Sequence, residues 1–207
     1  MKRRSKSRGY TAVEVLSALT LFAIGAAGVI GMQRVTVQGG EDARRFDIAN
    51  NLANEWVARL HRDSVRWTEP NTYSPLTSNL NQTQWLQFVT GCSVNFCTPP
   101  MPGAGAQAGS SPAFDLFGRD LPQPAPHDNQ AIYCAQYRLN WIANPGVAPI
   151  LQTAPLLRAE VRIMWSRLEL APIGDCTSLP HDPDALDASQ FYHMVYATTT
   201  IRENMLR

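Results

Sequence analysis

Hydrophobic and polar positions change their period along this chain, and the changes predict its elements. From Val15 to Met32 there is no charged residue, only Ser17, Thr20 and three glycines among apolar side chains. A helix there is apolar all round, which suits lipid or the centre of a helical assembly. From Val35 through Phe46, Ala49, Leu52, Ala53, Trp56, Val57 and Leu60, apolar residues recur at steps of three and four after an interruption near Gly39 and Gly40. That is one apolar stripe, which needs a surface to pack on. Glu41, Asp42, Arg44 and Arg45 fit the solvent face of the same helix. The pattern predicts a single helix from Tyr10 to about Asp63, roughly 80 Å long at 1.5 Å per residue. Gly25, Gly28, Gly31, Gly39 and Gly40 weaken it, each by roughly 0.5–1 kcal/mol relative to alanine. They fit either close helix packing or local melting.

Between about 64 and 130 the periodicity dissolves under prolines, from Pro70 to Pro126. A short helix is expected over Gln82–Val89, and a flexible loop tip over the Gly-, Ala- and Ser-rich segment Pro102–Ser111. Strict alternation then begins. Tyr133, Ala135, Tyr137, Leu139 and Trp141 share one face, with Gln136, Arg138 and Asn140 on the other. Leu157, Ala159, Val161, Ile163 and Trp165 repeat the device against Arg158, Glu160 and Arg162 facing out. A third strand is expected from Tyr192 to Arg202, rich in Thr, Val and Tyr. Such alternation predicts antiparallel strands with one buried face. The expected class is α+β, a long N-terminal helix packed on a C-terminal antiparallel β-sheet. The expected divisions are a leader at 1–9, an apolar helix at 10–33, and a soluble domain at 34–207. That domain includes the loop region 64–130 and the sheet 131–202.

The formal charge of +1 misleads, because Lys2, Arg3, Arg4, Lys6 and Arg8 lie in the leader. Without them, 13 basic residues face 17 acidic ones. That balance argues against nucleic-acid binding as the main role. Cys92, Cys97, Cys134 and Cys176 all follow the apolar segment. Behind an export signal an even count suggests disulfides, and four cysteines allow three connectivities. The expected pairs are Cys92–Cys97, closing a small loop, and Cys134–Cys176, tying the first strand to the last long connection. No CxxC pair suggests zinc.

Catalytic signatures are missing from the sequence. His61, His127, His181 and His193 are scattered, and there is no GxSxG, HExxH, P-loop or GxGxxG. The chain reads as a non-enzyme without a cofactor. Asp182, Asp184 and Asp187 form a D-x-D-x-x-D cluster of hard oxygen ligands, with calcium weighed against a solvated turn. An EF-hand would need a glycine and a closing glutamate that the cluster lacks.

The densest signal is at the start. Five basic residues, then Gly9, Tyr10, Thr11 and Glu14, stand directly before the uncharged run. A secretory signal would be cleaved after its apolar core. Here the small residue comes before it. A carboxylate at the edge of a membrane helix is costly and marks function by default. A plain anchor, with Glu14 reaching for the interface, is the simpler alternative.

This arrangement resembles the class III signal of type IV pilins and of the pseudopilins of type II secretion. In that family a membrane-embedded prepilin peptidase cuts after the glycine and methylates the new amine. Gly9 and Glu14 match the family's glycine and glutamate, and Tyr10 stands where phenylalanine is usual. The strands "YRLNWIA" and "LRAEVRIMWSR" look like those of PilV-type minor pilins. The resemblance implies the type IV pilin fold and a structural protein. Its processing site would be Gly9–Tyr10, and its Glu14 would pair with the N-terminal amine of a neighbouring subunit. It further implies a minor pilin at or near the pilus tip that helps initiate assembly. The implied partners are other minor pilins, the major pilin and a tip adhesin. The implied location is the bacterial inner membrane with the N-terminus cytoplasmic, then the extracellular pilus. A type II secretion pseudopilin is the alternative. So is a DNA-uptake pilin, for which Arg138, Arg158 and Arg162 share one strand face.

Overall fold

A 57-residue helix, α1 (Ala12–Thr68), carries the first third of the chain in a computed structural model. The structure describes residues 10–68, 80–100, 111–121, 130–143, 156–168, 171–182 and 190–202. Gly9, most of the Pro102–Ser111 segment, His127, Asp184 and Asp187 lie outside them.

The chain divides into two units, Met1–Arg45 and Phe46–Arg207. In the first, α1 has an 18-residue window of mean hydropathy 2.1, none of it buried. It is long and apolar enough to cross a membrane. Side chains such as Phe22, 75% exposed, stand largely uncovered. The helix is continuous through Gly25, Gly28 and Gly31, where an added Cβ would touch nothing within 4 Å. Ser17 and Thr20 donate to the carbonyls of Glu14 and Ser17, so their hydroxyls are satisfied within the helix.

The second unit is an antiparallel sheet with α1 from Phe46 onward laid on one face. Its strands are β1 (Ala113–Phe114), β2 (Tyr133–Ala143), β3 (Leu156–Ser166) and β4 (Tyr192–Arg202), in sheet order β1-β2-β3-β4. The period-2 residues meet the period-3.6 stripe. Ala49, Leu52, Ala53, Trp56 and Leu60 share one buried cluster with Tyr137, Leu139, Ala159, Val161 and Ile163. Alanines on both sides allow close approach, and aromatics lock the ends. Phe46 meets Trp165 edge-on at 6.4 Å, and Trp67 meets Trp141 at 5.9 Å.

Four expectations are corrected. The helix runs five residues past Asp63, because Trp67 still has sheet to cover. The helix expected over Gln82–Val89 is two 3-10 turns, Leu80–Gln82 and Leu86–Thr90. β1 is an additional strand, too short to show a period.

The fourth correction concerns the sheet's other face. Gln136 and Arg162 are fully buried, and Glu160 is 8% exposed. Segment 171–182 covers this face through a second cluster in which Cys134 and Met164 pack with Ile173, Cys176 and Leu179, and Phe96 adds its ring over Arg162. Arg162 is held by the side-chain oxygen of Gln136 and the carbonyls of Pro180 and Asp182. Its guanidinium lies 4.1 Å from the centre of the Phe96 ring. The middle of this face, at Gln136 and Arg162, is therefore covered by chain rather than water, while Arg158 stays half exposed.

Candidate functional site

At the start of α1 the sequence T-x-x-E makes a reciprocal cap. The Glu14 N–H donates to Thr11 Oγ1 at 3.3 Å. The Glu14 carboxylate accepts the Thr11 N–H at 3.2 Å and its hydroxyl at 3.3 Å. Helix termini leave such groups without intrahelical partners, and this capping box satisfies two of them. It also places a negative charge at the positive end of the helix dipole. Oε2 accepts both Thr11 donors, so a carboxylate with about four lone-pair sites keeps capacity for a further donor. Tyr10, ahead of the cap, is 86% exposed. Sequence reasoning singled out Glu14 for its charge and missed the box, though Thr11 and Glu14 spell its signature.

The structure pairs Cys92 with Cys97 and Cys134 with Cys176, each at a Cα separation of 5.5 Å. Around the first disulfide the chain runs along the free side of β2. Cys97 and Tyr137 exchange backbone hydrogen bonds, and Leu139 N–H donates to the carbonyl of Cys92. The second disulfide anchors the 171–182 cover to β2.

Two ionic clamps that sequence reasoning missed tie α1 to the loops. Asp63 is buried, and its carboxylate accepts the N–H groups of Gln84 at 2.7 Å, Trp85 at 2.8 Å and Leu86 at 3.2 Å. Arg59, also buried, bonds both oxygens of Asp120 at 3.0 Å and reaches Glu55, with its plane over Trp56 and Phe114. A tight turn sets Asp120 in place. Asp115 accepts from the N–H groups of Phe117 and Arg119, and Gly118 takes φ +75°, a conformation that disfavours a side chain. Desolvation pushes the Asp120 carboxyl above its usual range, outweighing the Arg59 charge. Burial, with the Asp63 charge adding, pushes the Tyr137 phenol up as well.

The basic trio is not brought together as an open patch. Arg162 is buried, and its burial lowers its pKa against the opposing Tyr196 hydroxyl. Both Arg138 and Arg158 bond Glu160. Asp182 contributes its backbone carbonyl to Arg162. Among the described residues no three His, Cys, Asp or Glu side chains are placed to hold a metal ion. The described histidines are apart from one another: His61 contacts Thr199, His181 contacts the Phe96 and Thr177 carbonyls, and His193 stacks on Trp165.

The most distinctive chemistry is therefore a capped carboxylate directly before an exposed, uncharged stretch of α1, whose later turns pack on the sheet. In comparisons with protein-family models, curated proteins and solved structures, nothing matches this chain.

Proposed function

We propose that this chain is a minor pilin of a type IV pilus, a structural subunit without enzymatic activity. The observation that carries the reading is the register of Gly9, Tyr10, Thr11 and Glu14 between a basic leader and an uncharged helix. The packing of the same helix on an antiparallel sheet is compatible with the type IV pilin fold and supports the reading.

On this reading the apolar half of α1 inserts in the inner membrane with the basic leader in the cytoplasm. Prepilin peptidase removes the first nine residues and leaves Tyr10 at the new terminus. Assembly then draws the helix out of lipid and into a filament. Glu14 is the only charge between the leader and Arg34. In a low-dielectric filament core it needs a cation, and the amine of a neighbouring subunit supplies one. The subunit would join other minor pilins at or near the tip, help start assembly and support an adhesin.

N-terminal sequencing of the membrane-extracted protein tests the reading. The mature chain is expected to begin at Tyr10, and Gly9→Val is expected to leave the full-length precursor. Cleavage after the apolar segment would refute it.

A further inference from the structure

The two long sides of the sheet are treated differently. The free side of β2 is occupied along its length. β1 pairs with Tyr133 and Cys134, Pro112 accepts from Ala135, Cys97 bridges Tyr137, and Cys92 accepts from Leu139. The free side of β4 has no backbone partner of this kind among the described residues. β4 pairs with β3 without interruption over all eleven of its residues. It contains no proline and no bulge, and its first charged residue is Arg202. Those are the devices that usually blunt an edge strand. About half of its backbone N–H and C=O groups point away from β3, by the alternation of an antiparallel ladder.

Charge then distinguishes the occupant. On the sheet face that carries Thr198 and Thr200, the described charges near the Arg202 end are Arg138, Arg158 and Arg202 against Glu160 alone. Arg158 is 52% exposed, and Arg202 is exposed. A second copy pairing antiparallel about Ala197 would set Tyr192 opposite Arg202, and the paired strand Tyr192–Arg202 itself carries no carboxylate. We propose that β4 is a docking edge for an extended segment of another protein, added antiparallel as a fifth strand, with acidic residues at its N-terminal end facing Arg202 and Arg158. Main-chain hydrogen bonds would provide the grip, and the arginines the register. This proposal does not depend on the pilin reading.

The probe is a capped peptide of two aspartates followed by alternating threonine and valine, added to the full chain in non-ionic detergent. The expected result is saturable binding with new hydrogen-exchange protection at alternate β4 amides. N-methylation of alternate peptide amides should abolish binding. Arg202→Glu should weaken it about fivefold, the scale of an exposed ion pair. A peptide with lysines in place of the aspartates should prefer the Arg202→Glu chain to the parent. Absence of binding would overturn the proposal. So would equal binding of the N-methylated peptide, indifference to Arg202→Glu, or concentration-dependent protection of β4 without peptide, which would mark a second copy as the occupant.

Discussion

The carboxylate of Asp63 accepts the backbone N–H of Trp85 at 2.8 Å, across 22 residues of sequence. Trp85 in turn meets Trp56 edge-on at 5.4 Å, so about two turns of α1, from Trp56 to Asp63, fix the position of Trp85. Asp63→Ala would strand three N–H donors, two of them in buried bonds. A cost of about 3 kcal/mol is expected, since each buried donor left unmade costs roughly 1–3 kcal/mol and some will find water. Asp63→Asn, which keeps one oxygen, should cost less. Thermal unfolding followed by near-ultraviolet circular dichroism, which reads the tryptophan pair, measures both.

Asp120 gives a pH dependence of unusual sign. Its folded pKa is raised from 3.8, chiefly by desolvation. Its contribution to stability is therefore fully present below the unfolded pKa and is lost as pH rises through the folded one. Asp120→Asn removes that titration. The stability of the parent relative to this variant is expected to grow as pH falls from 6 toward 3, in paired unfolding curves. A gap that narrows on acidification would show that Arg59, not burial, dominates the site.

The disulfides should differ in worth. Cys134–Cys176 spans 42 residues and Cys92–Cys97 spans five. The chain-entropy model gives about 4 kcal/mol for the first and about 2 kcal/mol for the second. Paired Cys→Ser variants, with mass mapping of non-reduced peptides to establish the bonds, test the order.

Glu14 has two separable roles on the proposed reading, as a cap and as a charge. Glu14→Gln keeps a capping-box acceptor but loses the charge. Glu14→Ala loses both. Cleavage after Gly9 should survive in either variant. If charge pairing governs assembly, both variants should show the same fall in filament-associated protein relative to mature protein held in the membrane. If glutamine restores assembly, capping is the whole of the role. A subunit at the very tip has no subunit ahead of it and is the one case in which neither variant need lose incorporation, so co-purification with the other minor pilins accompanies the measurement.

The helix and the three long strands were legible because their periods are properties of neighbouring residues. Tyr133 to Trp141 and Leu157 to Trp165 alternate whatever surrounds them. The burial of Arg162 was not legible, because beyond Gln136 on β2 its partners are the Pro180 and Asp182 carbonyls and the Phe96 ring, supplied by irregular segments. Asp63 and Arg59 look like any polar residues of a long helix. Only the positions of Trp85 and Asp120 reveal them as clamps. The Thr11–Glu14 cap is a different kind of omission, since spacing alone carries it.

Neither disulfide reaches α1, which contains no cysteine. One disulfide closes a small loop and the other fastens a loop to the sheet, while the helix is held by packing and the two ionic clamps. Tension applied along α1 would therefore load Phe46, Trp56, Arg59, Asp63 and Trp67 together, as a seam in shear rather than a zipper opened from one end. Forced detachment is governed by an unfolding rate. Reducing agents should loosen the loops that cover the sheet long before they alter how much pull the helix withstands.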